Sequence, residues 1–173
     1  MKIYLIRHAE PDYQQVTQVN YKGFGRDLSR ITEKGIHQAK KLAEQPLFDE
    51  VELLLVSPYT RTMQTALEIV NERKQPLTIN VELLLHEWLP DKTGTKLESG
   101  DQVGPAYQDY LNQTNFSDLE CETKEEVKRR VEQVFDKYKQ EYKSIVCITH
   151  AEVIKLFTGV ERVAYCGIYE LEY

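Results

Sequence analysis

Two histidines each close a short apolar run: His8 follows Ile3 to Ile6 and Arg7, and His150 follows Ile145 to Ile148 and Thr149. Two further runs end in reactive side chains, with Ser57-Pro58-Tyr59-Thr60-Arg61 after Val56 and His86-Glu87 after Leu85. A neutral imidazole is a competent nucleophile where something holds its tautomer and orientation. Arg7 and Arg61 offer planar forks that neutralise phosphate oxygens and the charge carried during transfer. His150 stands just before a helical pattern, where an N-terminus already favours anions. Glu87 has the chemistry to protonate a departing oxygen. Taken singly, each residue reads as structural. Their coincidence at four successive run ends points to phosphoryl transfer through a covalent phosphohistidine.

The elements that must position these groups are legible from periodicity. The run from Ile3 to Ile6 predicts a buried strand, as do Val51 to Val56, roughly Ile79 to Leu85, and Ile145 to Ile148. Helical patterns lie between them. Thr32 caps a segment with Ile36, Ala39, Leu42 and Ala43 on one face, ended by Pro46. Ser57-Pro58 sets a cap before a first-turn proline, with Met63, Ala66, Leu67 and Val70 following at helical spacing. Thr123 and Glu126 fit a capping box ahead of Val127, Val131, Val134, Phe135, Tyr138 and Tyr142. The outward charges of that helix, Lys128 to Arg130 included, read as a solvated face. Strands alternating with helices imply an α/β fold, a mostly parallel sheet covered on both sides. In such sheets ligands bind beyond the carboxyl ends of the strands, where the reactive residues fall.

Two stretches break the rhythm. Residues 9–31 form a long loop with Tyr13, Tyr21, Phe24, Arg26 and Arg30, and residues 88–122 are rich in glycine and proline, with room for one helix near Ala106 to Asn112. Long excursions in compact domains are commonly lids or binding loops. Tyr13, Tyr21, Phe24 and Tyr107 are candidates for a leaving-group pocket, with packing as the preferred reading. Arg26 and Arg30 are candidates for a second substrate anion or for salt bridges on the loop. His37 reads as a surface or helix-packing histidine. Residues 162–173 alternate weakly, as an edge strand does.

These residues carry a resemblance. Ile6-Arg7-His8-Ala9-Glu10 resembles the RHG/RHA signature of the histidine phosphatase superfamily, which includes the cofactor-dependent phosphoglycerate mutases. Residues 31–39 are similar to that family's LTxxGxxQA helix start, and residues 56–66 to its SPxxRxxQTA segment. Leu85-His86-Glu87 resembles its LxE, and Ile148-Thr149-His150-Ala151 its second-histidine strand end. The resemblance implies a three-layer α/β/α sandwich of phosphoglycerate mutase type, with residues 1–173 as a single domain. It further implies that His8 is the phosphorylated nucleophile, that Arg7, Arg61 and His150 hold the phosphate, and that Glu87 donates the proton. No cofactor or metal is expected. Trp88-Leu89-Pro90-Asp91 replaces the glycine-containing stretch of the mutases, and the chain is shorter than theirs. Both features favour a phosphatase acting on a small phosphorylated molecule over mutase-type transfer or a non-catalytic phospho-ligand module. Glu82, Glu10 and Asp91 stand as substitutes for the acid.

Rival chemistries are weaker. His8-Ala9-Glu10 and His150-Ala151-Glu152 echo the HxE of zinc deaminases, but the required P-C-x-x-C is absent, since Cys121, Cys147 and Cys166 are scattered. A dinuclear metal hydrolase built from His8, Asp12, Glu87 and His150 would set cations against two arginines. The 173 residues carry a net charge of −6, which opposes a broad nucleic-acid or anionic-membrane surface. No apolar run approaches the roughly 18 residues of a membrane span, and no leader core is evident. A cytoplasmic location with reduced thiols is the expectation, Cys147 being a core residue.

Overall fold

The computed structural model describes residues 1–19, 23–51 and 53–173. In chain order the elements are β1 (Lys2–Arg7), α1 (Gln14–Gln18), α2 (Glu33–Leu42), α3 (Leu47–Glu50), β2 (Leu53–Val56), α4 (Thr60–Glu72), β3 (Thr78–Val81), α5 (Val103–Asn112), α6 (Lys124–Tyr138), β4 (Ser144–Thr149), α7 (Ala151–Thr158) and β5 (Ile168–Glu172). Five strands form one sheet in the order β3-β2-β4-β1-β5, parallel throughout except for β5.

Side chains alternate across a strand, and that alternation builds the two cores. Ile3, Leu5, Leu53, Leu55, Ile145 and Cys147 face one layer, where they meet Val127, Val131 and Phe135 of α6 and Val153 and Ile154 of α7. Tyr4, Ile6, Leu54, Val56, Val146 and Ile148 face the other, against Leu42 of α2, Phe48 of α3, and Ala66 and Ile69 of α4. β2 is apolar at every position, and β1 and β4 are so across Ile3–Ile6 and Ile145–Ile148, because both faces are covered. The architecture is therefore a three-layer α/β/α sandwich with a mostly parallel sheet.

Several local expectations hold. The Thr32 side chain accepts from the Gly35 N–H at 2.9 Å at the start of α2. Thr123 and Glu126 close a capping box on α6. β5 is an antiparallel edge strand beside β1.

Others are corrected. The third apolar run is not one buried strand: β3 is an edge strand ending at Val81, and Leu83–Leu85 forms a 3-10 turn that buries Leu85. The second run is strand only from Leu53, and Glu52 lies outside the described residues. The helix in the second excursion begins at Val103 rather than Ala106. Ser57 does not cap α4, whose N-cap is Tyr59; its hydroxyl is 2.7 Å from His150 Nε2 instead. Arg130 is not part of a solvated face. It is 8% exposed and paired with Glu122.

Candidate active site

Register brings the two histidines together. β1 and β4 are neighbours with Arg7 opposite Thr149, so the residues that follow, His8 and His150, leave the sheet side by side. The His8 N–H donates to the Thr149 carbonyl at 3.0 Å, and the two imidazole centroids are 5.3 Å apart. Arg61 comes from the first turn of α4 and is 4% exposed. Its Nε–H donates to His8 Nε2 at 3.2 Å, and its Nη2 lies 3.3 Å from His150 Nδ1.

Those contacts define the tautomers. His8 Nδ1 is 2.7 Å from the Ala9 carbonyl, an acceptor only, so the ring proton resides on Nδ1 and Nε2 keeps its lone pair. Burial, reinforced by the Arg61 and Arg7 cations, depresses the His8 pKa to about 3, so the imidazole is neutral at physiological pH. His150 accepts from Arg61 on Nδ1 and donates Nε2–H to Ser57 Oγ. Its complete burial, with Arg61 alongside, holds its pKa well below the usual histidine value.

Arg7 is aimed by a segment distant in sequence. Its Nη1 donates to the Val163 carbonyl at 2.6 Å, and its guanidinium lies 4.0 Å from the Tyr165 ring centroid. Of the arginines that line the cavity, two buried guanidinium atoms, Arg7 Nε and Arg61 Nη1, have no hydrogen-bond partner among the described residues. A buried donor without a hydrogen bond costs roughly 1–3 kcal/mol, and although Arg61 Nη1 lies 3.7 Å from the Asp27 carboxylate, both atoms keep donor capacity for an acceptor-rich group.

The cavity is about 220 Å³. Arg7, His8, Arg61 and Glu87 line it, and Trp88, Leu89, Pro90, Leu97 and Val103 add apolar surface. Tyr13, Arg26, Asp27 and Tyr59 also line it, with Arg26 stacked 4.5 Å over Tyr13. His150 sits behind Arg61 and Tyr59, fully buried, and does not line the cavity. Glu87 is half-buried, its Oε1 accepting from the Trp88 N–H at 3.0 Å. Loss of water pushes its pKa up, and the nearby Glu152 adds to this.

The substitute carboxylates are otherwise engaged. Asp91 lines the cavity, but its carboxylate is consumed by Thr93, Lys96 and Leu97. Burial alone would raise its pKa; these bonds outweigh it and hold it at about 2. Glu82 pairs with Lys137 and Tyr138, and Glu10 with Lys34 and Thr32. Asp12 accepts from the Gln14 N–H and does not line the cavity, and no metal-holding group of three His, Cys, Asp or Glu side chains occurs among the described residues. Arg30 is exposed and does not line the cavity, Tyr107 bonds Glu152 instead, and His37 is exposed on α2. Tyr21 and the Phe24 side chain lie outside the described residues.

Tyr59, Asp27, Tyr165, Ser57 in its contact with His150, and the Arg130–Glu122 pair were not apparent as site groups in the sequence. Only Tyr59 and Ser57, two and four residues before Arg61, carried any signal. The motif glutamines fasten the loop that follows His8, since Gln38 accepts from the Glu10 N–H and Gln64 from the Ile31 N–H. Thr65 does the same for the Ala9 N–H.

An α/β/α sandwich with two arginines and two histidines gathered beyond parallel strand ends is the layout of a phosphate-handling enzyme. The chain belongs to the histidine phosphatase superfamily (branch 1), whose family profile matches residues 3–160, and its class is phosphoric monoester hydrolase. It is 27% identical to "Putative phosphoserine phosphatase 2" of Hydrogenobacter thermophilus, over 92% of this chain and 79% of that one. Among solved structures, a mycobacterial glucosyl-3-phosphoglycerate phosphatase superposes with a TM-score of 0.72 at 16% identity, covering 99% of this chain and 89% of the other. A phosphoserine phosphatase mutant from Entamoeba histolytica, in complex with phosphoserine, gives 0.67 at 21% identity, covering 98% and 89%. These two likenesses establish the shared fold. No helix among the described residues is long and apolar enough to cross a membrane.

Proposed function

We infer that the protein hydrolyses a phosphomonoester of a small molecule through a phosphohistidine at His8. The observation that carries this is the Arg61 guanidinium, which bonds His8 Nε2 and His150 Nδ1 while its Nη1 has no hydrogen-bond partner in the cavity. A phosphoryl group taken up by Arg61 Nη1 and Arg7 Nε is thereby delivered beside the His8 ring nitrogen that keeps a lone pair. His8 Nε2 attacks phosphorus, the bond to the substrate oxygen breaks, and Glu87 gives that oxygen its proton. Water then attacks the phosphohistidine, Glu87 takes the water's proton, and inorganic phosphate leaves with His8 neutral again. The arginines stabilise the charge on the equatorial oxygens in both steps, and His150 acts from behind by holding Arg61 in place. The raised Glu87 pKa suits an acid that must hold its proton near neutrality.

A cavity of about 220 Å³ with apolar surface fits a small organic leaving group. Phosphoserine, named for two relatives, is the first substrate to try within a wider screen of phosphorylated metabolites. Rapid quenching under non-acidic conditions with labelled substrate should trap phosphate on His8, and His8→Ala should abolish both label and turnover. Turnover that persists in His8→Ala would falsify the nucleophile. Activity should survive exhaustive chelation; its loss and return with added zinc or magnesium would replace this mechanism by a metal-dependent one.

A further inference from the structure

The segment that carries Glu87 has little regular structure. After the 3-10 turn at Leu83–Leu85, residues 86–90 belong to neither helix nor strand, yet their backbone is gripped by a single buried ion pair. Arg130 Nη1 donates to the Leu84 and His86 carbonyls at 2.6 and 2.9 Å, and Nη2 to the Glu87 carbonyl at 3.2 Å. The same guanidinium bonds both carboxylate oxygens of Glu122, Nε to Oε1 at 2.8 Å and Nη2 to Oε2 at 3.0 Å. Glu122 reaches back to the same strip: Oε2 accepts from the Leu89 N–H, its N–H donates to the Leu89 carbonyl, and its carbonyl accepts from Trp88 Nε1. The residues on both sides of Glu87 are thus tied to α6, and the Glu87 carbonyl with them.

We propose that Arg130 and Glu122 are positioning residues for Glu87, setting the reach of its carboxyl toward the leaving-group oxygen. This rests on the reading of Glu87 as the proton donor. Stability alone does not account for the arrangement, because a buried ion pair is commonly no better than a packed apolar pair of equal volume. What a guanidinium adds is a rigid planar fork able to fix three carbonyls at once, which the point charge of a lysine cannot do. Geometry at this level matters to chemistry, since a misplacement of roughly 1 Å can cost about 100-fold in rate.

The test uses Arg130→Lys and Glu122→Gln, each alone and combined with Glu87→Gln. Turnover is measured on the best alkyl phosphate from the metabolite screen and on nitrophenyl phosphate, whose leaving group needs no proton. Arg130→Lys should lower kcat on the alkyl phosphate by about 10- to 100-fold, and on nitrophenyl phosphate by no more than about threefold. On the Glu87→Gln background the same change should cost little more, because the group it positions is already gone. Equal losses on both substrates, or full multiplication with Glu87→Gln, would show a merely structural role and overturn the inference. If Arg130→Lys does not fold, Glu122→Gln decides: it keeps the shape and an acceptor for Leu89, and must show the same leaving-group selectivity. Selective injury by Glu87→Gln without it in either pair variant overturns this inference alone. An unselective Glu87→Gln overturns the proton-donor reading and this inference together.

Discussion

The Arg61 Nε–H is directed at His8 Nε2, 3.2 Å away, so the guanidinium covers the lone pair of the proposed nucleophile. In the proposed mechanism an incoming phosphoryl group takes over that contact, with Arg61 Nη1 as its anchor while Nη2 stays on His150. Removing the side chain therefore strips charge stabilisation and histidine alignment at once. Arg61→Ala should lower kcat/KM by roughly 100- to 1000-fold, the scale of losing a preorganised donor. Arg61→Lys should restore little of it, because an ammonium cannot span two imidazoles. A loss below about tenfold in steady-state kinetics would remove Arg61 from the phosphate pocket.

Asp27 sets a negative charge in the same pocket, its Oδ1 3.7 Å from Arg61 Nη1. Burial raises its pKa to about 6, opposed mainly by Arg61, so it ionises in the range where phosphate binds as a dianion. Above pH 6 the carboxylate competes with the ligand for Arg61; below it the competition fades. Asp27→Asn should tighten inhibition by inorganic phosphate by about threefold to tenfold above pH 7, on the order of 1 kcal/mol, and by little at pH 5. The variant-to-wild-type ratio of inhibition constants removes phosphate's own titration. A ratio independent of pH would exclude the carboxylate's charge as the cause.

Much of the site was legible because its chemistry sits at strand ends, which apolar runs mark plainly. His8, Arg61, Glu87 and His150 each follow such a run, and β1–β4 register needs only those runs to place the histidines together. Arg130 was misread for a physical reason. Its neighbours Lys128 and Arg129 are charged too, and the run reads as one solvated face although Arg130, three residues after Val127 and four before Val134, shares their side of the helix. What the sequence left without a trace is the carbonyls of residues 84–87 that it reaches. The Val163 carbonyl that aims Arg7 left no trace either, because any residue type supplies a backbone acceptor. The Ile79–Leu85 run looked continuous since leucines suit a strand and a buried turn equally well.

Stability should fall on the acid side. The folded-state pKa of His8 is about 3, below the unfolded value near 6.5, so the unfolded chain binds more protons between those limits. Its contribution is complete above about pH 6.5 and is lost progressively as pH falls toward 3. His150 acts in the same direction. Asp27 acts oppositely, with stability gained as pH falls from about 6 toward 3.8. In thermal melts between pH 7 and 4.5, His8→Asn should flatten the acid decline, and Asp27→Asn should steepen it. An unchanged slope in His8→Asn would mean that His8 titrates alike in the folded and unfolded chain.

Gly35 has a steric duty that links α2 to the loop that begins at His8. A Cβ at this position would lie 2.6 Å from the Glu10 carbonyl oxygen, a distance that real Cβ contacts do not reach. That oxygen cannot yield easily, because it accepts from the Thr32 N–H at 2.9 Å while the Glu10 N–H is held by Gln38. Gly35→Ala must then push α2 away from the loop that begins at His8, disturbing the Ala9 carbonyl that fixes the His8 tautomer. The expected cost is about 1–3 kcal/mol, as for overpacked cores. At roughly 2–4 °C per kcal/mol for a chain of this size, Tm should drop by several degrees. Turnover at a temperature where the variant is still folded should fall as well. Gly104→Ala is the control, since its added methyl meets nothing within 4 Å and the position lies in α5. That change should leave activity intact and stabilise by up to about 1 kcal/mol, because alanine suits a helix better than glycine. If Gly35→Ala matched the control in both Tm and turnover, the close approach of α2 to the His8 loop would have no energetic consequence.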